Sequence, residues 1–179
     1  MVSPIRSAKA APASPPLASP AAQARKAATD FYAAFARRDA AAMEAAYDPK
    51  VKFHDPLFGT LKGKRKVMEM WNTIMPAANP KTFSIEPKVL GAPTVKADGT
   101  VDVKVHWDAH YDLGKRHVDN HSDTTLTIKN GKIVAQRDEW DLDTWTKQAL
   151  PFGGGTRVGD DLARFAAHSF IELKDLFTR

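Results

Sequence analysis

The chain has no cysteine, which removes disulfides, thiolate nucleophiles and thiolate metal ligands from the readings open to it. It has no apolar run near the ~20 residues that a membrane-spanning helix needs. No apolar signal core follows its first basic residues, so a cytoplasmic protein with no membrane contact is expected. Acid is missing from residues 1–29, where Arg6, Lys9, Arg25 and Lys26 stand unopposed. That segment carries most of the formal net charge of +5 and leaves the rest nearly balanced, so a basic face for nucleic acid has little support. A phosphate loop is lacking too. Gly153, Gly154 and Gly155 follow no strand and lead into no Gly-Lys-Ser or Gly-Lys-Thr, which makes them a hinge.

Residues 1–23 are rich in Ala, Pro and Ser without any period, as a disordered extension would be. The remainder of the chain is long enough for one domain, expected over residues 24–150. Residues 151–179 then read as the Gly-rich hinge and a C-terminal amphipathic helix, Asp161 to Phe177, with His168 on its surface.

Within the domain, Ala27, Phe31, Ala34 and Phe35 recur at helical spacing from Ala24 to Arg38. Asp39 is a candidate N-cap for a shorter helix through Met43, Ala46 and Tyr47. Val51, Phe53 and Asp55 alternate with Lys52 and His54, which ends a short apolar strand face in a carboxylate. Pro56 stops that strand, and Gly59 and Gly63 supply turns before a helix from Lys64 to Met75 with Trp71 on its apolar face. Phe83 to Leu90 is a strand broken by Gly91-Ala92-Pro93. Thr100 to Tyr111, Arg116 to Lys129 and Lys132 to Asp141 are longer strands with clear alternation, and Thr144 to Ala149 is helical.

Three groups of residues bear on chemistry. Asp55 either caps its own turn or serves as a tuned acid or base at the mouth of an apolar cavity. His106, Asp108 and His110 share a strand face with His117, Asp119 and His121. Pairing Tyr111 with Arg116 sets His106 opposite His121, Asp108 opposite Asp119 and His110 opposite His117. Imidazoles and carboxylates in adjacent rows are possible zinc or manganese ligands, but the same pattern marks a solvated or subunit-facing sheet surface, and that is the reading expected here, without a metal. The face taken by Asp138 depends on the Asn130-Gly131 turn. A two-residue turn that pairs Lys129 with Lys132 sends Asp138 to the His/Asp side. A Gly131 bulge that pairs Ile128 with Lys132 sends it, with Val134, Gln136 and Trp140, to the apolar side. Asn120, Ser122 and Thr124 are polar residues on an otherwise apolar face, so if buried they need partners.

The element order, with FYAAFARRD, FHDPLFGTLKG, MEMW, the HVDN strand and NGKIVAQRDEWDLDTW, resembles the NTF2-like or SnoaL-like superfamily over about Ala24 to Leu150. The resemblance implies an α+β fold: a curved mixed sheet wrapped by about three N-terminal helices into a cone-shaped, cystatin-like barrel, with a deep pocket, usually in a homodimer. It also selects the bulged Asn-Gly turn. Ketosteroid isomerase, in the same superfamily, carries its proton-abstracting Asp in a strand-ending DP motif, and Asp55 matches that residue. Its oxyanion-hole Tyr falls on Phe31, with Tyr32 one step round the helix, and its second acid falls near Ser122 or Thr124, so that hole is not reproduced. Limonene epoxide hydrolase has an acid where RDEWD places Asp138, but its Arg and Asp partners fall among Val105, Trp107 and Ala109.

The resulting expectation is a pocket lined by Phe31, Tyr32, Phe35, Phe58, Trp71, Trp107, Tyr111, Asn120, Ser122 and Trp140. Asp55 would be the base and Asp138 the second acid. The ligand would be small and largely apolar, and the reaction a cofactor-independent isomerisation, cyclisation or hydrolysis. The alternative is a non-catalytic ligand-binding or dimerisation domain whose acids are structural.

Overall fold

A computed structural model describes residues 18–150 and Arg164. The C-terminal Gly run, the amphipathic segment and His168 lie outside the described residues. The first helix, α1 (Pro20–Ala36), starts four residues before the expected position because Ser19 caps it, accepting from the Ala22 amide at 3.2 Å, and Pro20 sits in its first turn. It buries Phe31, Tyr32, Ala34 and Phe35. Asp39 caps α2 (Ala40–Ala46) through the Ala42 amide at 3.0 Å. Tyr47, expected on that helix, instead opens the next strand.

Strand β1 (Tyr47–Asp55) is followed by β2 (Gly59–Lys62), which folds back on it with Phe53 opposite Leu61 and Asp55 opposite Gly59. The segment expected to hold only turns is therefore a tight hairpin with Asp55 at its neck. Helix α3 (Lys64–Ala77) accommodates Pro76 in its last turn, where the Arg38 guanidinium donates to the Met75 carbonyl. Strand β3 (Ser84–Val95) runs past the expected break at Gly91 with a register shift between Leu90 and Thr94. Strands β4 (Val101–Leu113), β5 (Arg116–Lys129) and β6 (Lys132–Trp140) come next, then helix α4 (Leu142–Ala149).

The six strands form one open, curved sheet in the order β2-β1-β6-β5-β4-β3, antiparallel except for β1 beside β6. It is the curved α+β architecture expected, but the sheet does not close into a barrel. Its edge strand β3 carries Pro87, Lys88 and Pro93, which blunt further pairing. Helix α1 crosses β3 and β4, α3 lies against β1 and β2, and α4 packs on β5. Among the described residues no helix is long and apolar enough to cross a membrane.

Two turns decide which residues meet. The β4-β5 connection is a two-residue turn, Gly114-Lys115, with Leu113 opposite Arg116 and Gly114 at φ 62°, where a type II′ turn takes its glycine. The expected pairing was two residues out. Faces survive such a shift but partners do not, so His106 faces Asp123, Asp108 faces His121, His110 faces Asp119 and Asp112 faces His117. Opposite charges then meet across the strands instead of like ones. The Asn130-Gly131 turn has both residues at positive φ (51° and 73°) and pairs Lys129 with Lys132, so it is the two-residue type and not the bulged one. The bulge comes one step later: Ile128 faces Ile133 but Thr127 faces Ala135, leaving Val134 unpaired. That extra residue returns Gln136 and Asp138 to the apolar side, with Asp138 opposite Thr124.

Candidate functional site

Asp55 ends β1 with its side chain on the face of Val51 and Phe53 and is 6% exposed. Its Oδ1 accepts from the Phe58 amide at 2.5 Å, so the turn cap is real. The cap holds Oδ1, and the Leu57 amide is a second, weaker backbone donor to the carboxylate. Loss of water around this carboxyl raises its pKa to about 7; the Phe58 amide opposes that rise and the negative charge of Asp138 adds to it.

Asp138 is 3% exposed and is held from two sides. Thr124 Oγ1 donates to its Oδ1 at 2.7 Å, and Gln136 Nε2 lies 3.0 Å from each of its oxygens. Each donor is itself supplied. Trp107 Nε1 donates to Thr124 at 2.9 Å, while Trp71 Nε1 donates to the Tyr47 hydroxyl at 3.1 Å, which donates to Gln136 Oε1 at 2.6 Å. An indole N–H can only donate and a carboxylate can only accept. The direction of every bond in both chains is therefore fixed, and both end on Asp138. Burial pushes its pKa up to about 6, against the Thr124 and Gln136 bonds that favour the anion. Burial also holds the Tyr32 and Tyr47 phenols well above their ordinary range, so both remain neutral.

Both carboxyls line a cavity of about 240 Å³ with Phe35, Phe58, Phe83, Asn120, Tyr111 and all four tryptophans, Trp71, Trp107, Trp140 and Trp145. Among the described residues no Lys, Arg or His lines it. Asn120 reaches the wall from β5, and its side-chain amide makes no hydrogen bond to the described residues. Trp145 closes one side from α4, its Nε1 donating to Tyr111 Oη at 2.8 Å. The base of α4 is fixed by Arg116 on the Gln148 carbonyl and by Gln148 Oε1 on the Asp119 amide.

Of the expected lining, Phe35, Phe58, Trp71, Trp107, Tyr111, Asn120 and Trp140 reach the cavity wall. Phe31, Tyr32 and Ser122 do not. Phe31 packs edge-on against Tyr32 and Tyr47 in the core. The Tyr32 hydroxyl is buried beside Thr124 and Trp107 without a hydrogen bond of good geometry, and Ser122 Oγ is likewise buried without a partner. Tyr47, expected on a helix, and Gln136, which links it to Asp138, also belong to the site. A glutamine on an apolar strand face was the available signal.

On the opposite face of the sheet the histidines and aspartates are interleaved. His117 bridges Asp112 (2.8 Å) and Asp119 (3.1 Å), and Asp119 also receives His110 at 2.6 Å. His106 bridges Asp123 (2.8 Å) and Asp108 (3.2 Å), and Asp108 also receives His121. The bonds to Asp123 and Asp112 raise the pKa of His106 and His117.

Known proteins share this fold. Residues 28–136 match the SnoaL-like domain family. A ketosteroid isomerase-like protein from Erwinia carotovora superposes with TM-score 0.60 at 14% identity, covering 67% of this chain and 95% of its own. A putative polyketide cyclase from Xanthomonas campestris gives 0.56 at 16%, covering 73% and 99%. An LEH-like epoxide hydrolase from Mycobacterium tuberculosis gives 0.51 at 20%, covering 73% and 91%. Comparison with curated protein sequences finds no match.

Proposed function

The chain belongs to the SnoaL-like family, and from that premise we propose that it is a small-molecule-pocket protein that moves a proton on a small, largely apolar ligand, with Asp55 as the base. One observation carries the reading: two buried carboxyls share an aromatic cavity with no cation among its described lining residues. A carboxyl raised to about 7 is matched to proton transfer near neutral pH. Asp55 lines the cavity and can take the proton of a ligand C–H or O–H there, and Asn120 offers an amide N–H for the carbonyl or alkoxide oxygen on which charge develops. Asp138, already accepting three hydrogen bonds, fixes the field of the cavity and orients the ligand. The names of the fold relatives, an isomerase-like protein and a putative cyclase, fit a proton transfer at carbon.

Because all four tryptophans line the cavity, occupancy is read by intrinsic fluorescence. A panel of steroids, terpenoids, aromatic polyketides and fatty acids is expected to contain a stoichiometric ligand that changes tryptophan emission and raises the melting temperature. That ligand is the scaffold for a turnover assay. Uniform failure of the panel would favour a domain whose acids are structural. Assembly as a homodimer belongs to the same proposal, and sedimentation of a monomer at micromolar concentration would overturn it.

A further inference from the structure

The hairpin strands β4 and β5 carry the same outward-facing motif, His-x-Asp-x-His-x-Asp, at 106–112 and at 117–123. The two-residue turn sets the two copies in antiparallel register, so every histidine of one stands opposite an aspartate of the other. Each half repeats one arrangement. An outer aspartate holds Nδ1 of a histidine whose Nε2 faces a central aspartate, and that aspartate also meets Nδ1 of a second histidine. In the half nearer the turn the ligand atoms of His110, His117 and Asp119 all lie within 4.8 Å of one another.

We propose that His110, His117 and Asp119 form a binding site for one divalent transition-metal ion, of the zinc class, on the face of the sheet away from the cavity. Two imidazoles and a carboxylate are a borderline N,N,O donor set that leaves positions open for water. The side chains are 37%, 59% and 46% exposed, so an ion reaches them from solvent. Asp112 on His117 Nδ1 at 2.8 Å is the outer carboxylate that orients a metal-binding imidazole and points Nε2 at the ion. Binding needs the ring nitrogens that face Asp119 free of protons: His117 keeps its Nδ1 proton on Asp112 and releases any Nε2 proton to solvent, and His110 carries its one ring proton on Nε2. The local field favours a cation as well. Four aspartates crowd the ribbon, Arg137 is paired with Glu139 at its β6 border, and Lys88 stands beside Glu86 at its β3 border. Since His110 is on β4 and the other two ligands are on β5, the ion would clamp the hairpin near its turn.

The test is calorimetric titration of Zn²⁺ into the tag-free, chelator-treated full chain, with Co²⁺ absorption as a second readout. One saturable equivalent, micromolar or tighter, is expected, together with a higher melting temperature. His117→Ala and Asp119→Asn should abolish saturable uptake, and Asp112→Asn should weaken it about 10–100-fold. His54→Ala, outside the ribbon, should bind as the parent does. Melting in EDTA reports the fold of each variant separately. No saturable uptake by the parent, parent-like uptake by His117→Ala and Asp119→Asn, or uptake lost only in His106→Ala would each overturn the assignment.

Discussion

Asp55→Asn is expected to lower turnover at least about a hundredfold while the variant melts no lower than the parent at pH 8. The amide keeps an oxygen for the Phe58 N–H, so the cap of the β1-β2 hairpin survives, but it can no longer take a proton. The stability half follows from linkage. The folded pKa of Asp55, about 7, lies above its ordinary 3.8, and that of Asp138 is about 6. Between these values the native state binds more protons than the unfolded chain, so stability falls as pH rises. The contribution is complete below about pH 4 and gone once pH has passed the folded values. The parent should therefore lose stability between pH 5 and pH 8, and Asp55→Asn should lose less. In a turnover assay of the proposed reaction, kcat/KM should rise with pH through the Asp55 value of about 7. Parent-like turnover in Asp55→Asn would take Asp55 out of the mechanism. A rising limb near pH 4 would show a solvated carboxyl.

The elements were legible in the sequence where one rule decided them. The alternation in β4 and β5 is unbroken over more than ten residues, so both strands and their faces follow from period alone. Asp39 announces α2 by its type and place. Partners were not legible, because they depend on turn geometry that a single residue can change. At 112–116 the sequence allows a longer loop, yet Gly114 at positive φ closes the hairpin in two residues and moves every cross-strand pair by two positions. At 130–134 the Asn-Gly dipeptide does make its favoured turn, and the residue that reverses the faces is Val134, an ordinary β-former with no mark of a bulge.

Much the same divides the site. Asp55 was legible because a carboxylate on an apolar strand face before Pro is a local anomaly. Asp138 lay on the correct side of an even choice. The cavity wall was legible as a set of aromatics but not residue by residue: Phe31 and Phe35 are one turn apart on the same helix, and only Phe35 reaches the cavity. The network through Tyr47 joins residues 89 positions apart and crosses the parallel β1-β6 pairing, a contact without a local signature.

Gln136→Leu is expected to destabilise the chain by on the order of 3–5 kcal/mol, seen as a fall in melting temperature of about 10 °C or more. Leucine fits an apolar strand face, so the loss comes from what the amide does there. Its oxygen is the acceptor of the Tyr47 hydroxyl and its nitrogen serves both Asp138 oxygens. Removing it leaves a buried phenol without its acceptor and a buried carboxylate with Thr124 alone. The Asp138 pKa should then climb above about 6, because burial is unchanged while one of the two groups favouring the anion is gone. Carboxyl-carbon NMR would follow that shift directly. The double variant Gln136→Leu/Asp138→Leu separates a lost hydrogen bond from a stranded charge, since removing both partners of a buried polar pair costs less than removing one. It should be more stable at pH 8 than Gln136→Leu alone, although it carries one more substitution. A double variant as unstable as the sum of the two singles would mean that Gln136 acts by packing and that Asp138 does not depend on it for its charge.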